Sequence, residues 1–271
     1  MIDNDDLPVG RILSRREILT LFGATGAGLL AGCVPIQPNA TQPQSTAPPS
    51  TASGATANGV TSTVAAGNAG TAPTCIVRPE MTEGPYFVDE QLNRSDIRSD
   101  PADGSVREGV LLQLTFAVAQ VSSGSCTPLA GALVDIWHCD AAGIYSDVAD
   151  PGFNTKGKQF LRGYQVTDAQ GVAKFLTIYP GWYRGRTVHI HFKIRTNANS
   201  GAAHEFTSQL FFDDTFTDQV FTQPPYAAQG ERTIRNAGDG IYRNGGKQLL
   251  LLPTKAEQGY SATFAVGLNW A

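Results

Sequence analysis

Between residues 110 and 268 the sequence has no long helical period; it has short alternating runs, each closed by Gly, Pro, Asn or Asp. "VLLQLTFAVAQV" (110–121), "GALVDIWHC" (131–139), "VAKFLTIY" (172–179), "TVHIHFKIR" (187–195), "FTSQLFF" (206–212), "KQLLLLP" (247–253) and "YSATFAVGL" (260–268) all read as strands. A period of two sends successive side chains to opposite faces, so each run has one face to bury and must pair with others to do it. Strands at this spacing predict an all-β fold: an antiparallel β-sandwich with long loops and little helix. A short helix is expected around 216–228, where "TDQVFTQPPYA" interrupts the alternation.

The first 75 residues follow other rules. "LSRREILTLFGATGAGLLAGC" joins Arg15 and Arg16 to a short apolar stretch and ends at Cys33 after Leu-Ala-Gly. Twin arginines, a short apolar segment and small residues at its end read as a Tat-type lipoprotein signal over 1–33. Cleavage there leaves a lipid on Cys33 as the only membrane attachment and places the protein on the extracytoplasmic side of a bacterial membrane. Residues 34–75 are almost free of charge and rich in Ser, Thr, Ala, Pro and Gly. Too little apolar surface is available there to offset ordering entropy, so a disordered tether is expected, with the folded domain at 76–271. A formal net charge of −4 provides no basic face for nucleic acid. Cys75, Cys126 and Cys139 follow the signal, and an odd count in an oxidising compartment suggests one disulfide and one leftover thiol. The spacing does not choose among the three pairings.

The chemistry centres on "GWYRGRTVHIHFKIR" (181–195). His189 and His191 project to one face of a strand, while Val188, Ile190 and Phe192 project to the other. Two of the chain's four histidines fall in this one motif. Converging imidazoles form a metal edge suited to Fe, Cu, Ni or Zn. No acidic residue lies in 169–204 to complete a His-carboxylate set. What lies close is tyrosine: Tyr179, Tyr183 and, further back, Tyr145. A phenolate forms at neutral pH only beside a strong Lewis acid, and ferric iron is the metal that promotes this most readily.

The order of "TEGPYF" (82–87), "LVDIWHCDAAGIYSD" (133–147), "FLRGYQVTDAQGVAKFLTIYPGWY" (160–183) and "RTVHIHF" (186–192) resembles the intradiol ring-cleavage dioxygenases, and most of all their exported, single-domain members. The similarity is good over about 76–215 and loose beyond. It implies a non-haem Fe(III) cofactor with Tyr145, Tyr183, His189 and His191 as ligands, Tyr183 being the one displaced by substrate. It also implies that Arg186 and Gln209 act at the active site alongside Tyr183. The partners implied are a small aromatic diol and O2, with cleavage between the hydroxylated carbons to a cis,cis-muconate-type product. Two departures bear on substrate choice: only five residues separate Tyr183 from His189, where protocatechuate enzymes have a longer loop, and Phe211 stands where they have tyrosine. Tyr86 and Trp182 are expected to line or support the pocket, His138 to be a core or supporting histidine, and Asp135 and Asp140 to be structural. A non-catalytic, tethered extracellular β-sandwich module that binds protein or carbohydrate is the competing expectation. It accounts for the signal, tether and strands but not for the ordered tyrosines and histidines.

Overall fold

The computed structural model describes residues 76–123, 125–196 and 203–270. The signal and tether expected over 1–33 and 34–75 lie outside the described residues, as do Cys33 and Cys75. In chain order the strands are β1 (Leu111–Ser122), β2 (Ser125–Pro128), β3 (Leu133–Trp137), β4 (Ala149–Asp150), β5 (Phe153–Asn154) and β6 (Arg162–Val166). β7 (Val172–Ile178), β8 (His189–Arg195), β9 (Glu205–Phe211), β10 (Thr254–Lys255) and β11 (Tyr260–Leu268) follow.

Two sheets form the sandwich. One runs β10-β11-β1-β2, with β7 also paired to β1; the other runs β6-β3-β8-β9. The pairs are antiparallel except that β1 and β11 run parallel, with Phe116 opposite Phe264. Alternation explains the core. Leu112, Leu114, Phe116 and Val118 of β1 turn inward, as do Phe264 and Val266 of β11 and Ile190, Phe192 and Ile194 of β8. Phe116, Phe192 and Phe264 meet between the sheets, their ring centroids 5.2 to 6.1 Å apart.

Two sequence expectations need correction. "KQLLLLP" is not a strand: residues Gly246–Leu249 form a 3₁₀ turn, and Leu250 makes only an isolated bridge to Phe211. The turn opens at Gly245, whose φ of 120° only glycine holds without strain. The apolar run satisfies burial at Leu249 and Leu251 without a ladder. The helix expected at 216–228 is α1, Asp214–Phe221, whose start is capped by the Asp213 side chain accepting from the Phe216 N–H. Pro224 and Pro225 stop it, since proline has no N–H to continue the ladder. A separate 3₁₀ turn then forms at Tyr226–Gln229. A one-turn helix, α2 (Gly240–Arg243), follows under an Asp239 cap.

Cys126 is disulfide-bonded, while Cys139 is free and buried. Among the described residues no helix is long and apolar enough to cross a membrane.

Candidate metal centre

The outer face of the β6-β3-β8-β9 sheet is buried around His189, His191, Trp137 and Gln209, but by loops. Register sets its side chains: His191 stands opposite Trp137 of β3 and Gln209 of β9, and His189 stands opposite Phe211. The loops of 79–91, 138–161 and 179–188 cover this row, and they bring the tyrosines.

His189 Nε2 lies 2.9 Å from His191 Nε2 and 3.2 Å from the Tyr145 hydroxyl. The Nδ1–H of His189 donates to the Thr187 carbonyl at 2.7 Å, which leaves Nε2 as the unprotonated nitrogen. One lone pair cannot accept well from two donors at once. A cation among the three atoms resolves the crowding, because two ligands about 2.1 Å from an ion at right angles stand about 3 Å apart. His191 Nδ1 is buried without a hydrogen-bond partner among the described residues. Packing orients that ring: Trp137 stacks on it at 4.9 Å with an 8° interplanar angle, and Gly84 leaves only 3.0 Å between Cε1 and the place a Cβ would take.

Burial, reinforced by the Arg186 cation, depresses the His189 pKa to about 3; burial and neighbouring His189 depress that of His191 as well. Both imidazoles are therefore neutral at pH 7, the state that ligates metal. Burial raises the Tyr145 phenol well above its ordinary range, so a phenolate there requires a cation against it. Among the described residues no three of His, Cys, Asp and Glu converge. A metal at this place draws on tyrosine oxygen, and the donor set of two neutral nitrogens plus phenolate fits a hard, highly charged ion.

Tyr183 stands beside this cluster, its ring edge-on to Tyr145 at 5.8 Å. Its hydroxyl donates to Asp150 Oδ2 at 2.9 Å, as the Tyr86 hydroxyl does at 2.5 Å, and the two phenol oxygens are in close contact over that shared acceptor. Burial works to raise the Asp150 pKa, but the hydrogen bonds from Tyr86, the Gly152 N–H and Tyr183 leave it below the usual carboxylate value. On the other flank, buried Arg186 donates through Nε to Asp239 at 2.9 Å and through an Nη to Gln209 Oε1 at 2.7 Å. Gln209 in turn donates to the Thr82 carbonyl at 2.8 Å.

The structure thus gathers Tyr145, His189 and His191 at one point, sets Tyr183 adjacent, and links Arg186 to Gln209. His138 is a core histidine: its ring nitrogens lie 2.8 Å from the Cys139 carbonyl and 2.7 Å from the Thr177 hydroxyl. Asp135 pairs with Arg195, and Asp140 accepts the Ala142 and Ile144 N–H groups. Three residues escaped the sequence reading. Asp150 has no local signal. Asp239 sits in "DGIY", a helix-cap pattern that was readable. Arg162, in "FLRGYQ", is buried with bonds to the Ser146 and Tyr86 carbonyls and no carboxylate among them.

A family model described as Dioxygenase matches residues 82–237. An intradiol ring-cleavage dioxygenase of Tetranychus urticae superimposes with a TM-score of 0.63 at 32% identity, covering 72% of this chain and 95% of that one. The chain belongs to the intradiol ring-cleavage dioxygenases. The dioxygenase domain of a carbohydrate-binding fusion from Streptomyces sp. SirexAA-E matches with a TM-score of 0.51 at 28% identity, over 72% of this chain and all of that one. Chlorocatechol 1,2-dioxygenase of Pseudomonas putida is 29% identical over 177 residues, 56% of this chain and 59% of that protein. Catechol 1,2-dioxygenase 2 of Acinetobacter lwoffii is 29% identical over 155 residues, 50% of this chain and 51% of that protein. The chain therefore spans little more than half the length of these two relatives.

Proposed function

We propose that this protein cleaves an aromatic 1,2-diol between its hydroxylated carbons with O2, both oxygen atoms entering a cis,cis-muconate-type dicarboxylate. The observation that carries the reading is that His191 Nε2 and the Tyr145 hydroxyl both lie within 3.2 Å of His189 Nε2 inside a buried site. Tyr145, Tyr183, His189 and His191 would hold Fe(III), which would supply the Lewis acidity that lets the diol lose both hydroxyl protons, and the ionised ring is electron-rich enough to react with O2.

The protein's own groups divide the remaining work. Neutral His189 and His191 bring no positive charge that would repel the metal. Tyr183 takes one diol proton at its phenol oxygen and keeps it by donating to Asp150 Oδ2, the hydrogen bond it makes here. Arg186, fixed by Asp239 and Gln209, supplies a preorganised positive charge for the anion that develops on the substrate. Loops over the outer sheet face exclude water from the imidazoles. The five-residue connection from Tyr183 to His189 leaves a more open mouth than a longer loop would, which favours a broad or bulky diol as substrate. A non-catalytic module gives no reason for two imidazoles and a phenol to be buried nose to nose.

The same proposal places the domain outside the cytoplasm, exported by the Tat route and anchored through Cys33. The disulfide at Cys126 supports an oxidising compartment.

The test is the visible spectrum of the purified, iron-loaded protein, before and after anaerobic addition of catechol, followed by admission of ¹⁸O2. A phenolate-to-iron band that shifts with catechol, and a ring-opened product carrying two labels, is the expected result. A colourless protein after iron reconstitution overturns the reading. Activity confined to small carboxylated catechols overturns the preference for bulky diols.

A further inference from the structure

The two tyrosines sit on separate loops, and the distance between those loops must be set by something. Tyr145 follows the turn Asp140–Gly143, and Tyr183 follows Trp182. The loops touch through backbone: the Gly181 N–H donates to the Asp140 carbonyl at 3.1 Å, and a Cβ on Gly143 would stand 2.3 Å from the Trp182 oxygen. Two carbonyls, Ala142 and Trp182, face a third element at this seam. That element is the 3₁₀ turn Tyr226–Gln229, and Gln229 Nε2 lies 2.8 Å from each of them.

An amide NH2 has two hydrogens, and here one goes to each tyrosine-bearing loop. The opposite amide orientation is excluded by the same geometry, since it would set Oε1 against two carbonyl oxygens. The turn is itself anchored. The Tyr226 hydroxyl donates to the Tyr179 carbonyl at 2.6 Å and accepts the Val110 N–H at 3.0 Å, and the Trp182 indole N–H donates to the Gly230 carbonyl at 3.3 Å. The loop of Tyr183 is therefore held at its base by Tyr226 and at its tip by Gln229, and Gln229 also holds the loop of Tyr145, beside the Gly181–Asp140 backbone bond.

We propose that Gln229 is a positioning residue: its side-chain amide fixes the separation of the Tyr145 and Tyr183 loops and so sets how both phenols meet the metal. The inference rests on the function proposed above. Gln229 touches neither substrate nor metal in this role; it acts through two main-chain carbonyls. Losing such an outer support costs about ten- to a hundredfold in affinity or activity at metal sites.

The experiment compares wild type with Gln229→Met, which keeps the side-chain length, and Gln229→Glu, which turns the two donors into acceptors facing two carbonyls. The readouts on iron-loaded protein are the position and intensity of the phenolate-to-iron band, its shift on anaerobic catechol, and kcat and KM separately. Both variants should bind iron with a displaced, weakened band, and kcat should fall about tenfold or more with KM changed much less; Gln229→Glu should be the worse. A metal-free thermal midpoint within a few degrees of wild type would separate positioning from unfolding. Should either variant fail to fold, Gln229→Asn, which keeps the donors but shortens their reach, carries the same spectral test. A band and catechol shift identical to wild type in the folded variants overturns the proposal and leaves the function intact. Absence of the band in wild type itself defeats the functional reading instead.

Discussion

The two faces of β8 are equally dry and opposite in purpose. Ile190, Phe192 and Ile194 point between the sheets with no exposure, and His189, His191 and Lys193 point outward with at most 5% exposure. The inner face gains its stability from hydrocarbon removed from water, and the outer face has only polar groups to bury, each needing a partner. Lys193 finds Glu205 at 2.9 Å and also pairs with Glu83. His189 satisfies Nδ1 on Thr187 and leaves Nε2 facing His191 and Tyr145. Burial alone therefore does not separate scaffold from site on this strand; incomplete satisfaction of buried polar atoms does.

The sharpest way to break the comparison is to truncate each face. His189→Ala or His191→Ala should lower iron affinity more than about a hundredfold, beyond what loss of an outer partner costs, and leave the far-ultraviolet circular dichroism of the apoprotein unchanged. Iron titration followed by the phenolate band measures it. An alanine variant with undiminished colour would mean that the imidazoles are not ligands. Phe192→Ala should do the reverse, lowering unfolding free energy by about 3–5 kcal/mol while the fraction still folded keeps its iron band. Urea unfolding with and without iron distinguishes the two effects, and loss of metal binding by folded Phe192→Ala protein would dissolve the distinction between faces.

Acid should also tell the buried imidazoles from the hydrocarbon around them. His138 is buried with its pKa lowered from 6.5 to about 4, and His189 is lowered to about 3, chiefly by burial. The unfolded chain keeps its histidines near 6.5, so below that pH it binds protons that the folded apoprotein refuses. The stabilisation is complete above 6.5 and is lost as pH falls toward the folded values. His138 alone contributes a loss on the order of 3 kcal/mol across that window. His138→Asn should flatten the slope of apoprotein stability between pH 6.5 and 4, whereas Phe192→Ala should lower the whole curve without changing its slope. An unaltered slope in His138→Asn would mean that this imidazole titrates normally.

Much of this plan was legible in the sequence, for reasons that are local. Strands β1, β3, β7, β8, β9 and β11 declare themselves because period-two alternation is set by the backbone pleat. The shared face of His189 and His191 needs no more than that. The similarity of ordered motifs then singled out Tyr145 and Tyr183, which no period could have done. What escaped depends on contacts far apart in sequence. Asp150 matters because Tyr86, 64 residues away, donates to it. Gln229 matters because Ala142 and Trp182, 87 and 47 residues away, meet there. "KQLLLLP" misled because burial at Leu249 and Leu251 gives the same two-residue spacing in a 3₁₀ turn and its exit as in a strand.

The smallest expected effect sits at Gly84, where the outer face meets its lid. Its φ of 73° lies in the left-handed region, and a Cβ there would stand 3.0 Å from His191 Cε1. Left-handed backbone costs an L-residue about 1–2 kcal/mol, so Gly84→Ala should reduce stability by that much from conformation alone. The contact adds a second consequence that the inner face cannot show. His191 is clasped between Trp137 and Gly84, so the new methyl either tilts the imidazole or lifts the 79–91 segment, and both disturb Nε2 relative to Tyr145 and His189. Gly84→Ala should therefore weaken iron binding by more than its stability loss predicts, whereas Ala173→Gly, on the inner face of β7, should cost stability without touching iron affinity. Unfolding midpoints and iron titrations on the two variants decide it. Equal iron affinity in Gly84→Ala and wild type would mean that Trp137 and the strand suffice to aim His191, and that the glycine serves only the turn.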